Sequence, residues 1–166
     1  MKKKLAIIIS SFLLILSLYS VGFSNTSPVL ANSEEASLLA MINNERQIAG
    51  LPSLKWNDKL AQAANAKAKD MIANDYWAHN SPSSKTPWTF ITGAKYRYYN
   101  AGENLARGYS SLTETVSAWM KSPSHKTNIV SGKYKDTGIA IVSGKMNGVE
   151  TTLVVQMFGS TSSKFF

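Results

Sequence analysis

An α/β sandwich, with helices laid over a small antiparallel sheet, is the fold that this sequence predicts. Three observations carry it. Apolar residues recur at three- and four-residue intervals from about residue 33 to residue 74, as on the buried face of a helix. Beyond residue 137 the period shortens toward two and β-branched residues gather, the pattern of a strand. Between the last two such runs stands Asn147-Gly148, a pair suited to a two-residue hairpin turn. Neither layer could bury its apolar side alone, so helices and sheet must cover one another.

The elements follow in order. Asn32, with Glu35 three residues on, marks a helix start, and Leu38, Leu39, Met41 and Ile42 supply its apolar stripe before Gly50 and Pro52 end it. Asn57 caps a second helix through Leu60, Ala61, Ala64, Ala68, Met71 and Ile72, stopping near Asn74. From Asp75 to Ser110 the chain is rich in Asn, Ser, Gly, Pro and aromatics, which predicts loop with a short helical turn after Pro87. A third helix runs from Leu112 to Lys121 and buries Val116, Trp119 and Met120. Pro123 breaks it and takes the first position of a fourth, short helix capped by Ser122. Gly138 to Val142 and Val149 to Phe158 are the expected strands.

The 166 residues suit a leader, 1–31, and one domain, 32–166. Lys2, Lys3 and Lys4 precede an apolar stretch from Leu5 to Leu18, and Val29-Leu30-Ala31 offers a small-residue cleavage site, the layout of a secretory signal. The competing reading is an uncleaved membrane anchor, weakened by Ser10, Ser11, Ser17 and Ser20. Under either reading the domain is expected outside the cell, secreted or associated with the wall. Losing the leader removes three lysines and takes the formal charge from +8 to +5, a balance that favours anionic wall polymers or lipid headgroups. Nucleic acid is not expected, since export separates the protein from it and no nucleic-acid module is visible. Cysteine is absent, which excludes thiol catalysis, cysteine-ligated zinc and disulfide support.

Chemistry near neutral pH must be built around the two histidines, His79 and His125, with Glu103 and Glu114 as the acidic partners. Each has an ordinary reading as well. Ser111-Leu112-Thr113-Glu114 fits a capping box, in which the glutamate reaches back to the amide of the cap. His125 falls third in its helix, where the dipole favours neutral imidazole, the form that ligates metal or accepts a proton. His79 reads equally as a helix C-terminal cap, and Glu103, after Gly102, as a solvated loop carboxylate. No HExxH is present, so a metal would need the histidines to converge from separate segments. Gly108-Tyr109-Ser110-Ser111-Leu112 lacks the closing glycine of a nucleophile elbow, and Gly132-Lys133-Tyr134 lacks the rest of a P-loop, so no nucleotide is expected. Tyr96-Arg97-Tyr98-Tyr99 can pack inward or stack on bases or sugars.

Taken together, AMINNERQIAGLPSLKWNDKLAQAANAKAKDM, WAHNSP, NAGENLARG, TVSAWMKSPSHKTNIV, DTGIAIV and VVQMFG resemble a bacterial SCP-type member of the CAP superfamily, over about residues 33 to 160. That group holds cysteine-rich secretory proteins, venom allergens and pathogenesis-related proteins. The resemblance implies a three-layer α-β-α sandwich and a cleft holding two histidines and two glutamates, at His79, Glu103, Glu114 and His125. It further implies that the two imidazoles can hold a divalent ion such as Zn2+. Ser124 and Lys126 depart from the Gly and Arg often found in bacterial relatives. Three functions compete. One is a monomeric extracellular module that binds a metal and a lipid, wall polymer or extracellular protein, with the glutamates orienting the imidazoles. Another is a peptidase or wall-glycan hydrolase using zinc-bound water, or Glu103 and Glu114 as an acid and base pair. The third is a hydrogen-bonded structural knot.

Overall fold

The computed structural model describes residues 33–161, so the leader expected over 1–31 and its cleavage site lie outside the described residues. Five helices and four strands follow one another as α1 (Ser33–Ile48), β1 (Lys55–Trp56), α2 (Asp58–Ala73), α3 (Pro87–Gly93), β2 (Asn100–Arg107), α4 (Leu112–Lys121), α5 (Pro123–Ile129), β3 (Asp136–Met146) and β4 (Val149–Ser160).

The strands form one sheet in the order β1-β3-β4-β2. Its body is antiparallel: β3 and β4 are joined at the predicted hairpin, where Asn147 and Gly148 take φ of 50° and 76°, the left-handed pair that a tight primed turn requires. The two-residue β1 adds to the outer edge of β3 in parallel, so the sheet is mixed at that margin. The eight-residue β2 closes the other edge against β4, pairing Glu103 with Met157. This strand falls inside the stretch expected to be loop. Asn100, Gly102, Glu103 and Asn104 give it no strand-like alternation, yet residues 102–106 are all buried.

Two apolar clusters lie on opposite faces of the sheet and make three layers. On one face α2 and α3 bring Leu60, Ala64, Ala68, Met71 and Ile91 onto Leu105, Val155 and Met157. On the other, α1, α4 and α5 bring Leu38, Ile42, Val116, Trp119 and Ile129 onto Ala106, Val154 and Phe158. Of the predicted stripes of α1, α2 and α4, Leu38, Ile42, Leu60, Ala61, Ala64, Ala68, Met71, Val116 and Trp119 are buried, while Leu39, Met41, Ile72 and Met120 are half-buried against them. Asn57 caps α2 as its sequence position requires, its side chain accepting from the amides of Lys59 and Leu60.

Buried charge ties the layers to the segments that carry the site. Arg46 of α1 is fully buried and donates to the carbonyls of Pro52, Ile129, Ser131 and Tyr134, which pins the end of α5. Such a charge persists in the interior only when its donors are satisfied in this way.

Candidate functional site

The site is assembled around the edge strand β2. Glu103 is buried on the α2 side of the sheet, with its side chain 2% exposed, and the imidazole of His79, 60% exposed, sits above it. His79 Nδ1 and Glu103 Oε1 are 2.5 Å apart. An ionised carboxylate can only accept, so Nδ1 is the donor to it. His79 lies in the segment between α2 and α3, and its backbone is held from beneath. Lys67 of α2, fully buried, donates from Nζ to the carbonyls of Ala78 (2.9 Å) and His79 (2.6 Å) and to the Tyr76 hydroxyl (3.1 Å). Tyr76 in turn donates to Asp70, which also pairs with Lys85 at 3.2 Å. The Lys67 ammonium stands over the rings of Tyr76 and Phe90 at 4.7 and 5.6 Å.

The opposite side of β2 presents Asn104 to α5. Asn104 Nδ2 donates to the carbonyl of His125, and Asn128 Nδ2 donates to the carbonyl of Glu103 and to Asn104 Oδ1. Gly102 is required beside this network, because a Cβ there would lie 2.6 Å from the Tyr134 hydroxyl. The His125 ring stacks on Trp119, centroids 6.5 Å apart, while the Trp119 indole donates to the carbonyl of Leu105. Ser122 occupies the N-cap position of α5, but its hydroxyl is not spent on the helix. It lies 2.8 Å from His125 Nδ1 instead. In the tautomer in which Nδ1 donates to Ser122, His125 Nε2 presents its lone pair.

These contacts set the protonation of the three groups. The hydrogen bond to Glu103 raises His79 above the ordinary imidazole range, against the opposing effects of burial and of the Lys67 charge. Burial pushes the Glu103 carboxyl up, and His79 and Lys67 pull it back. Burial, then the nearby charge of His79, holds His125 low. Glu103 Oε2 is buried with no hydrogen-bond partner, an expensive arrangement for a carboxylate oxygen.

Glu114 is placed differently. It is exposed at the start of α4, and its Oε2 accepts from the amide (3.1 Å) and hydroxyl (2.7 Å) of Ser110. Ser111 Oγ accepts from the Glu114 amide at 3.1 Å, so the capping box forms with its carboxylate arm shifted mainly to the residue before the cap. The Ser110 side-chain and backbone hydrogen bonds hold the Glu114 carboxyl below its usual range. Glu114 is not among the groups that set His79, Glu103 or His125. Its visible connection to them runs through α4, the helix that carries Trp119 to His125.

The sequence marks Ser122 only as a helix cap and gives Lys67 and Asn128 no role. A signal existed for Lys67: position 67 falls within the stripe of Leu60, Ala64, Ala68 and Met71, where a lysine must either disrupt the core or find buried acceptors. Among the described residues no group of three or more histidine or carboxylate side chains comes together to hold a metal. At most two imidazole nitrogens could serve such an ion here, fewer than the three protein ligands usual for zinc.

The architecture and the ordered segments recur in known proteins. Residues 39–158 match the CAP family, the Cysteine-rich secretory protein family. The uncharacterized protein YkwD of Bacillus subtilis (strain 168) is 32% identical over 119 residues, which cover 72% of this chain and 46% of YkwD. The chain thus spans about half the length of that relative. An extracellular protein containing a SCP domain from Bacillus anthracis str. Ames superposes with a TM-score of 0.66 at 25% identity, over 76% of this chain and 40% of that one. An outer surface protein from Borrelia burgdorferi superposes with a TM-score of 0.68 at 25% identity, over 80% and 97% of the two chains. With the family match covering most of its length and the three-layer sandwich in place, this chain belongs to the CAP family, as a bacterial SCP-type domain.

Proposed function

We propose that this domain works outside the cell as a binding module whose ligand docks on the exposed imidazole of His79 and on His125. The observation that carries this reading is the pairing of a solvent-reachable imidazole with a buried carboxylate, Glu103, that has no other side-chain hydrogen-bond partner. A carboxylate on Nδ1 fixes the ring and directs Nε2 outward, the arrangement by which acidic residues orient imidazole ligands. Ser122 supports His125 in the same manner. Export is supported by the leader-like residues 1–31 and by relatives described as extracellular or outer-surface proteins. Among the described residues no helix is long and apolar enough to cross a membrane.

A divalent ion such as zinc would be held by His79 and His125, and would supply Lewis acidity toward a ligand oxygen. In this reading Glu103 orients His79 and balances the added charge, Lys67 keeps the 78–79 backbone in place, and Glu114 caps the helix beneath His125. Lipid and wall polymer are the ligand classes that the cationic surface favours. Calorimetric titration of the domain with zinc is expected to show saturable heat that disappears in the His79→Ala plus His125→Ala variant. Equal heat from the variant would move the site elsewhere.

The unpartnered Glu103 Oε2 also favours a second reading, in which a carboxyl whose proton affinity is raised by burial serves as general acid or base in hydrolysis. Turnover of peptidoglycan or casein by the zinc-supplied protein, lost in Glu103→Gln, would select it.

A further inference from the structure

The aromatic run at 96–99 is divided by the fold, and the division creates a second surface that shares no residue with the histidine site. Tyr96 is buried and donates its hydroxyl to Asp136 at 2.7 Å. Its neighbours on both sides are thereby held outward. Lys95 takes φ of 60° in the turn that ends α3, and the Tyr99 amide is fixed to the carbonyl of Ser160 at 2.7 Å. Tyr98 and Tyr99 are 37% and 63% exposed, and Trp88 of α3, 36% exposed, stands 6.3 Å from Tyr98 with the rings tilted by 46°. Thr92, Lys95, Tyr96, Arg97 and Tyr98 line a concavity of about 680 Å³ beside them. Among the described residues neither Lys95 nor Arg97 forms a salt bridge. Asp136 accepts from Tyr96, and Asp58, which accepts from the Trp56 indole, lines an adjoining hollow with Lys59, Lys95 and Arg97, so basic side chains outnumber acidic ones there.

We propose that this concavity binds an acidic polysaccharide, with Trp88, Tyr98 and Tyr99 against the apolar faces of its sugar rings and Lys95 and Arg97 on its carboxylates or phosphates. Flat rings with polar edges suit pyranoses, which present C–H groups on one face and hydroxyls around the rim. A majority of basic side chains at this surface selects an anionic partner over a neutral or cationic one. Exposed aliphatic side chains, which a lipid surface would draw in, are lacking here: the large exposed aliphatics among the described residues are Ile48 and Val149, on other elements. The anchored backbone presents the rings and charges in place, so binding costs little ordering.

The test measures affinity of the full domain for hexagalacturonate and for a glycosylated polyol-phosphate polymer. Neutral chitohexaose, inorganic polyphosphate and phosphatidylglycerol vesicles serve as comparisons. Binding of either acidic glycan is expected, stronger than that of polyphosphate or chitohexaose. Trp88→Ala plus Tyr98→Ala should weaken it about tenfold, as should Lys95→Gln plus Arg97→Gln. His79→Ala should leave it unchanged, which separates this surface from the histidine site. Unaltered melting temperatures in the exposed-residue variants would exclude misfolding as the cause. Failure to bind either glycan overturns the proposal. So does polyphosphate binding of equal strength that ignores the aromatic variant, which would reduce the surface to charge alone, or association with vesicles only.

Discussion

Lys67→Met is expected to lower the unfolding free energy by about 3 kcal/mol, the scale on which removing one member of a buried charged network destabilises a protein. The side chain is fully buried on α2, and its ammonium satisfies two carbonyls and a tyrosine hydroxyl while lying in the field of Glu103 and Asp70. Methionine fills the same volume but donates nothing, so the carbonyls of Ala78 and His79 lose their partner and Glu103 loses a compensating charge. Urea denaturation read by tryptophan fluorescence measures the change. Combining Lys67→Met with Glu103→Gln should cost less than the sum of the single changes, because the second removes the charge that the first leaves stranded. Strict additivity would mean that Lys67 supports only the backbone and not the carboxylate.

Gly138→Ala should be at least as damaging, at about 3 kcal/mol or more, because the added methyl has no direction in which to move. A Cβ at residue 138 would lie 1.9 Å from the Ala61 amide nitrogen and 2.2 Å from the Leu60 carbonyl carbon. Both are backbone atoms of α2, so the helix itself must lift from β3. Lifting it would open the cluster around Leu60, Ala64 and Met157 and displace Lys67 with it. A thermal melt of the variant should show either a large loss of melting temperature or no cooperative transition. A wild-type melt would contradict the close approach of α2 to the sheet.

The parts of this fold visible in the sequence are those whose stability is local in origin. Apolar spacing marks α1, α2 and α4 because each buries one stripe, and Asn147-Gly148 marks the hairpin because only a few residues accept two consecutive left-handed conformations. The strand β2 is hidden for the opposite reason. Glu103 and Asn104 can be buried in it only because Lys67, His79 and Asn128, between 24 and 36 positions away, supply their partners. No window of sequence contains that compensation. Of the residues singled out from the sequence, His79 pairs with Glu103 on the edge strand, and the carbonyl of His125 accepts from Asn104 beside it. Glu114 was recognisable in two ways, and its observed contacts are those of the cap. Ser122 read as a helix cap from its place before Pro123, whereas the folded chain turns its hydroxyl to His125.

The most direct test of the site is an NMR titration of the two histidine rings in the wild type and in Glu103→Gln. A carboxylate on Nδ1 stabilises imidazolium, so His79 should keep its proton to higher pH than a free histidine, while His125, half-buried and lowered further by the His79 charge, should lose its proton at lower pH. The wild type should therefore show His79 titrating well above His125, and Glu103→Gln should bring His79 down while allowing His125 to rise. Identical titration of the two rings, or a His79 curve unmoved by Glu103→Gln, would contradict a site in which Glu103 holds His79 beside His125.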